Sequence, residues 1–166
     1  MSINKFKKPI DWFITTFSIS MMVILVICVV WQVFSRYVLN SPSTMTDEIA
    51  RFSMIWVGLL GAAYSVGLQK HLSIDLFTHD LSGVKKYISS IVINLIICGF
   101  SLGVLVWGGY SLLARVYESG QVSPAMQLPM AYVYAVLPLS GCIMVYYSLL
   151  FIISALVGLA GKEENA

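Results

Sequence analysis

Four stretches of this sequence carry no formally charged residue over lengths that match a membrane. The first covers residues 12–35, 24 positions between Asp11 and Arg36. As helix that is about 36 Å, against a hydrocarbon core of about 30 Å. The second covers 52–69 and is lengthened at its start by the turn that holds Asp47 and Arg51. The third covers 87–114. The last, 119–161, is too long for one helix, and Pro124 and Pro129 break its beginning. The expected product is an all-α integral membrane protein, one membrane domain over 1–166, with four transmembrane helices at about 12–35, 47–69, 87–115 and 131–158. Composition agrees: 58% of residues are hydrophobic and 11% charged, where a soluble domain carries about 25% charged residues.

Lys5, Lys7 and Lys8 ahead of an apolar run give the N-terminus the look of a signal peptide. The run is too long for that, and no small-x-small cleavage site follows, so it is read as a retained first span. Four spans put both termini on one side. That side would hold Lys5, Lys7, Lys8, Lys70, Lys85, Lys86 and Lys162, and the other Arg36, Arg51 and Arg115. The excess of cations places both termini in the cytoplasm. The 70–86 loop then faces the cytoplasm, and its mixture of apolar residues with Asp75, Asp80, Lys85 and Lys86 fits either an interfacial helix on the inner leaflet or a solvated loop.

Several function classes are disfavoured. A net charge of +2 with no basic stripe gives no basis for nucleic-acid binding. Cys28, Cys98 and Cys142 lie in apolar runs without metal spacing and read as small packing residues. No nucleophile–base pair or phosphate loop suggests an enzyme, and no cofactor is implied. An ion or proton pathway needs ionisable groups at membrane depth, yet the spans hold no Asp, Glu, Lys, Arg or His over 52–69, 87–114 or 131–161. Asn94 reads as an interhelical hydrogen-bonding residue, and Pro138 as a kink in the fourth span. Small residues at four-residue spacing, Gly99 with Gly103, Gly58 with Ala62, Ala63 with Gly67 and Ser154 with Gly158, give helix faces suited to close packing, within this chain or against another.

Two readings are open. One, a non-catalytic scaffold subunit of a transporter, rests on the absence of ionisable groups from the spans together with the family resemblance described next. The other is a four-helix membrane anchor of a redox or sensor complex, in which His71 would be a haem ligand, although His79 is badly placed as the second.

The segments "WQVFSRYVLN" and "TDEIARFSMIWVGLLGAAYSVGLQKHLSIDLF" closely resemble the small membrane subunit of tripartite ATP-independent periplasmic (TRAP) transporters. The matching positions are Phe34, Arg36, Tyr37 and Val38; Glu48 and Arg51; Gly61, Ala62 and Ala63; and Gly67, His71 and Asp75. "GQVSPAMQLPMAYVYAVLPLSG" is a second match. The resemblance implies a multi-pass protein of the bacterial inner membrane that works with a large multi-span permease subunit and a periplasmic substrate-binding protein. In such systems the large subunit carries the sodium and substrate sites and moves as an elevator, and the cargo is an organic acid anion such as a C4-dicarboxylate or sialic acid. Arg36, Glu48, Arg51, Gly61, His71, Asp75, Gly99 and Gly103 are then candidate structural or subunit-interface residues. Arg36, Asp47, Glu48 and Arg115, on the outer side, are candidate contacts to the binding protein. In "TDEIAR", Thr44 or Thr46 is expected to cap the second span, and Arg51 to pair with Asp47 and Glu48 on one face.

Overall fold

The computed structural model describes the backbone of residues 3–68 and 84–163 and the side chains of 7–68 and 87–158. His71, Asp75 and the proposed interfacial helix lie outside the described residues. Four helices are long and apolar enough to cross a membrane, over Lys7–Tyr37, Thr44–Gly67, Tyr87–Glu118 and Met130–Gly158. The all-α, four-span architecture is therefore the one the uncharged runs require.

The first span is helix α1, Ile3–Tyr37. At 35 residues it is about 52 Å long and exceeds the bilayer core. Lys7, Ile14, Met21, Cys28 and Ser35 all turn inward. That seven-residue spacing is the one that winds a helix left-handed about its neighbour. The second span is α2, Thr44–Gly67. Its N-cap is Ser43, in extended backbone and without a side-chain cap bond. This corrects the expectation that Thr44 or Thr46 caps the helix. The helix starts one residue earlier, and the Thr46 hydroxyl donates back to the Ser43 carbonyl at 3.1 Å instead.

The third span is continuous but changes winding. Helix α3 covers Val84–Phe100, a π-helical segment covers Ser101–Gly108, and α4 covers Gly109–Glu118. Span three ends at Gly120, whose φ of +62° is the left-handed conformation a helix terminus favours and glycine adopts without strain. The fourth span is interrupted. Helix α5, Met130–Tyr134, gives way at Ala135 to α6, Val136–Glu163. The break lies one turn before Pro138, as it must: proline has no N–H to give the Tyr134 carbonyl. The flanking bonds survive, from Ala135 N–H to the Ala131 carbonyl at 3.0 Å and from Leu139 N–H to the Ala135 carbonyl at 3.3 Å.

The spans pack in the order α1, α2, α6, then α3 with its π segment, so each outer helix rests mainly on one neighbour. The two central spans bury more of themselves accordingly, 28% and 39% of their most apolar windows against 11% and 17% for the outer two. The result is a slab of helices rather than a closed bundle. Its core gathers Ile14, Leu60, Ala63, Leu105, Val136, Met144 and Tyr147.

Close approach between spans is set by glycines, though not those in the Gly99–Gly103 pair. A Cβ at Gly141 would stand 2.8 Å from the Leu105 Cβ, and one at Gly109 would stand 2.9 Å from the Leu137 Cβ. The π segment thus lies directly against Gly141. Gly58, Gly61, Gly99 and Gly103 have nothing within 4 Å of an added Cβ.

Candidate functional site

Two polar joints tie α2 to the rest of the chain, one at each end. The first centres on Glu48, in the opening turns of α2 and only 9% exposed. Its partners come from the segment between α4 and α5. Residues 121–130 form a small hairpin, with Met130 N–H donating to the Gln121 carbonyl at 2.9 Å and Ser123 N–H to the Leu128 carbonyl at 2.8 Å. An isolated bridge pairs Val122 with Pro129, and Gln127 takes a positive φ of 54° to close the turn. Two backbone N–H groups of the turn reach the Glu48 carboxylate, one of them, Met126 N–H, shared with the Ser123 hydroxyl oxygen at 3.3 Å. Ala125 N–H donates to Oε1 at 3.0 Å, and Met126 N–H donates to Oε2 at 3.0 Å. The Ser123 hydroxyl, fully buried, donates to Oε2 at 2.6 Å. A buried carboxylate is tolerated only when charge-assisted hydrogen bonds replace its water, and here there are three.

The second joint lies at the other end of α2. The Lys7 ammonium donates to the Gly67 carbonyl. That carbonyl is one of the last in α2, where the helix dipole favours a cation. Lys7 also lies over the Phe151 ring, 4.7 Å from its centroid. The Tyr147 hydroxyl donates to Asp11 Oδ1 at 2.5 Å. Tyr147 itself is fully buried, and its ring presses on Gly67 so closely that a Cβ there would stand 2.9 Å away. Spans one, two and four meet at this point.

The sequence-derived candidates divide between these joints and the surface. Glu48 turns inward onto the hairpin and does not join Arg51 in an ion pair. Arg51 instead pairs with Asp47 at 2.7 Å, on the exposed side of α2. Arg36, at the end of α1, and Arg115, in the last turn of α4, are exposed. Gly61 is partly exposed and Gly99 and Gly103 are exposed, all with open space before them. Asn94 is buried and holds the Ser90 carbonyl of its own helix at 2.8 Å.

Sequence reasoning did not find Lys7, Asp11, Tyr147 or Ser123. For Lys7 and Asp11 a signal existed: a lysine and an aspartate four residues apart, just before a span, need partners if the helix is to enter lipid. Nothing local marks Ser123 as the partner of a residue 75 positions away.

Chemically, both joints are closed. The Glu48 oxygens are taken by donors of the same chain, and the ionisable groups of both joints stand at the ends of spans rather than along a path through them.

The family model for the DctQ component of tripartite ATP-independent periplasmic transporters matches residues 25–158. The sialic acid TRAP transporter small permease protein SiaQ of Vibrio cholerae is 25% identical over 167 residues, an alignment covering all of this chain and 94% of that protein. The C4-dicarboxylate TRAP transporter small permease protein DctQ of Rhodobacter capsulatus is 27% identical over 105 residues, covering 60% of this chain and 44% of that protein. The isethionate TRAP transporter permease protein DctMQ of Oleidesulfovibrio alaskensis is 28% identical over 142 residues, covering 81% of this chain but only 21% of that longer protein. The match spans most of the chain and all but the start of its four-span architecture: the chain belongs to the DctQ component family of TRAP transporters, small multi-pass permease subunits of the inner membrane rather than enzymes.

Proposed function

We propose that this chain is the rigid scaffold of its transporter, holding a large multi-span permease subunit that performs sodium-coupled uptake of an organic acid anion delivered by a periplasmic binding protein. The observation that carries the reading is the pair of joints. Between Glu48 and Gly67, α2 has no Asp, Glu, Lys or His, and its one Arg is paired on the exposed side. A helix locked at both ends, without an ionisable path, supports its neighbours and carries no ion itself. Family membership favours this reading over the redox or sensor anchor.

The free face of α2 is the surface on which the large subunit packs. Most outward faces of the chain are built of large apolar residues such as Val26, Val30, Leu95 and Phe100. On α2, Gly58, Gly61 and Ala62 stand outward, one turn past the exposed Met54, as Gly99 and Gly103 do on span three. Lipid gives no reason for small residues, whereas a helix from another chain does, because small side chains let backbones approach. The DctMQ relative supports a large partner: the region resembling this chain is joined there to a much longer polypeptide.

Both termini lie in the cytoplasm in this account. Arg36, Asp47 and Arg115 are then exposed charges on the periplasmic side, available to the binding protein, while Glu48 serves the hairpin. The relatives' names span sialic acid, isethionate and C4-dicarboxylate carriers, all of them anions, so an organic acid anion is the cargo class. Affinity purification of this chain from cells that also express the large permease subunit tests the scaffold role. The two should co-purify in constant ratio, and Gly61→Leu should abolish recovery of the partner. Full recovery with Gly61→Leu would refute the assignment of this face.

A further inference from the structure

A groove between α4 and α5 has a chemistry the scaffold role does not use. It encloses about 410 Å³ at the end of spans three and four nearest the 119–129 loop. Ala114, Ala131 and Ala135 contribute its small apolar surface. Tyr110, Tyr117, Tyr132 and Glu118 contribute the rest that matters. The tyrosines are 64%, 77% and 71% exposed, so they are not held in the core. Tyrosines at the end of a span sit at the depth of lipid headgroups.

The groove is lined mainly by apolar surface, and the one formal charge in its lining is negative. Glu118 brings a carboxylate. It is the last residue of α4, where the helix dipole already places partial negative charge. The tyrosine rings add their negative faces. Glu118 is exposed and has no ion pair among the described residues, and no lysine or arginine lines the groove. Arg115, exposed one turn earlier on α4, stands outside the lining and offers a separate positive charge.

We propose that this groove binds the headgroup of a primary-amine zwitterionic phospholipid, phosphatidylethanolamine, from the leaflet on the side of the 119–129 loop. The ammonium meets Glu118 and the tyrosines, the phosphate lies toward Arg115, and an acyl chain crosses the three alanines. A primary ammonium carries three N–H donors for the carboxylate and phenol oxygens. A choline headgroup has none and keeps only the undirected charge attraction to Glu118 and the cation–π attraction. A headgroup with net negative charge and no amine meets Glu118 unfavourably. The proposal does not depend on which way the chain faces or on the large subunit.

The test is native mass spectrometry of the purified chain after exchange into equal amounts of phosphatidylethanolamine, phosphatidylcholine and phosphatidylglycerol. Ethanolamine lipid should be retained about three- to tenfold over the other two, the range of a modest charge-assisted contact. Glu118→Gln should bring the three to within about twofold. Arg115→Gln should lower retention of all three with their order kept. A misfolded variant would lose lipid altogether rather than lose the order, so the readout separates recognition from stability. Equal retention by the unmodified chain, or an unchanged order in Glu118→Gln, overturns the proposal. So does an unchanged order combined with loss of co-purifying large subunit in Glu118→Gln, which would assign the groove to a basic side chain of that partner.

Discussion

Glu48 and Gly67 stand 19 residues apart on α2, the first bonded to the 121–130 hairpin and the second to the first span. At 1.5 Å per residue the separation is about 28 Å, close to the thickness of a bilayer's hydrocarbon core. The polar contacts that hold the helix therefore fall at the two edges of the membrane, where charges are tolerated, and the length between them is left to apolar packing.

The Glu48 joint is predicted to depend on the carboxylate more than on any one donor. Glu48→Ala leaves the Ser123 hydroxyl and Ala125 N–H without their acceptor and Met126 N–H with only the longer bond to Ser123 Oγ at 3.3 Å. Ser123→Ala removes one donor and leaves two. In thermal unfolding of the purified chain, Glu48→Ala should lower Tm by on the order of 5 °C or more and Ser123→Ala by less. Equal Tm values for Glu48→Ala and the unmodified chain would show that the hairpin stands without its carboxylate.

Tyr147→Phe is predicted to loosen the joint at Gly67. It keeps the ring against Gly67 but removes the hydroxyl that donates to Asp11. A hydrogen bond to a charged group contributes about 1.5–3 kcal/mol, and the half-buried, partly hydrated position of Asp11 points to the lower end. Urea titration should show a reduced midpoint with unchanged slope. An unchanged midpoint would mean that water replaces the hydroxyl fully.

The glycines should separate by location. Gly141→Ala forces a methyl group to within 2.8 Å of Leu105 and is predicted to cost about 1–3 kcal/mol in the isolated chain. Gly58→Ala and Gly61→Ala meet open space, so they should leave the isolated chain as stable as before or slightly more so. A loss at Gly61 equal to that at Gly141 would contradict the packing order described.

The topology is predicted by labelling. In a background lacking Cys28, Cys98 and Cys142, a membrane-impermeant maleimide added to intact cells should modify Asn40→Cys and not Ser2→Cys, and permeabilisation should expose the latter. The reverse pattern would invert the orientation.

What the sequence disclosed follows from the range of the forces involved. The four spans are visible because lipid excludes charge residue by residue, and 12–35 or 87–114 can be read one position at a time. The break before Pro138 is visible because proline removes a donor locally. The Glu48 joint is not, since the Ser123 hydroxyl and the Ala125 and Met126 N–H groups reach it only after the fourth span has folded back on the second. The expectation of an Arg51 pair was half met: spacing allowed both Asp47 and Glu48, and the hairpin claimed the second. The Gly99–Gly103 pair has the right spacing for helix contact, but the contacts inside the chain use Gly109 and Gly141. The π segment between Ser101 and Gly108 shifts that register by local winding, and its residues carry no mark of it.

The central claim is that this chain is a required scaffold that carries no substrate itself. Sodium-driven uptake of the organic acid anion, in proteoliposomes containing the large permease subunit and supplied with binding protein, tests it most directly. The account predicts no uptake by the large subunit alone, full uptake once this chain is added, and none by this chain alone. Full uptake by the large subunit without this chain would contradict it.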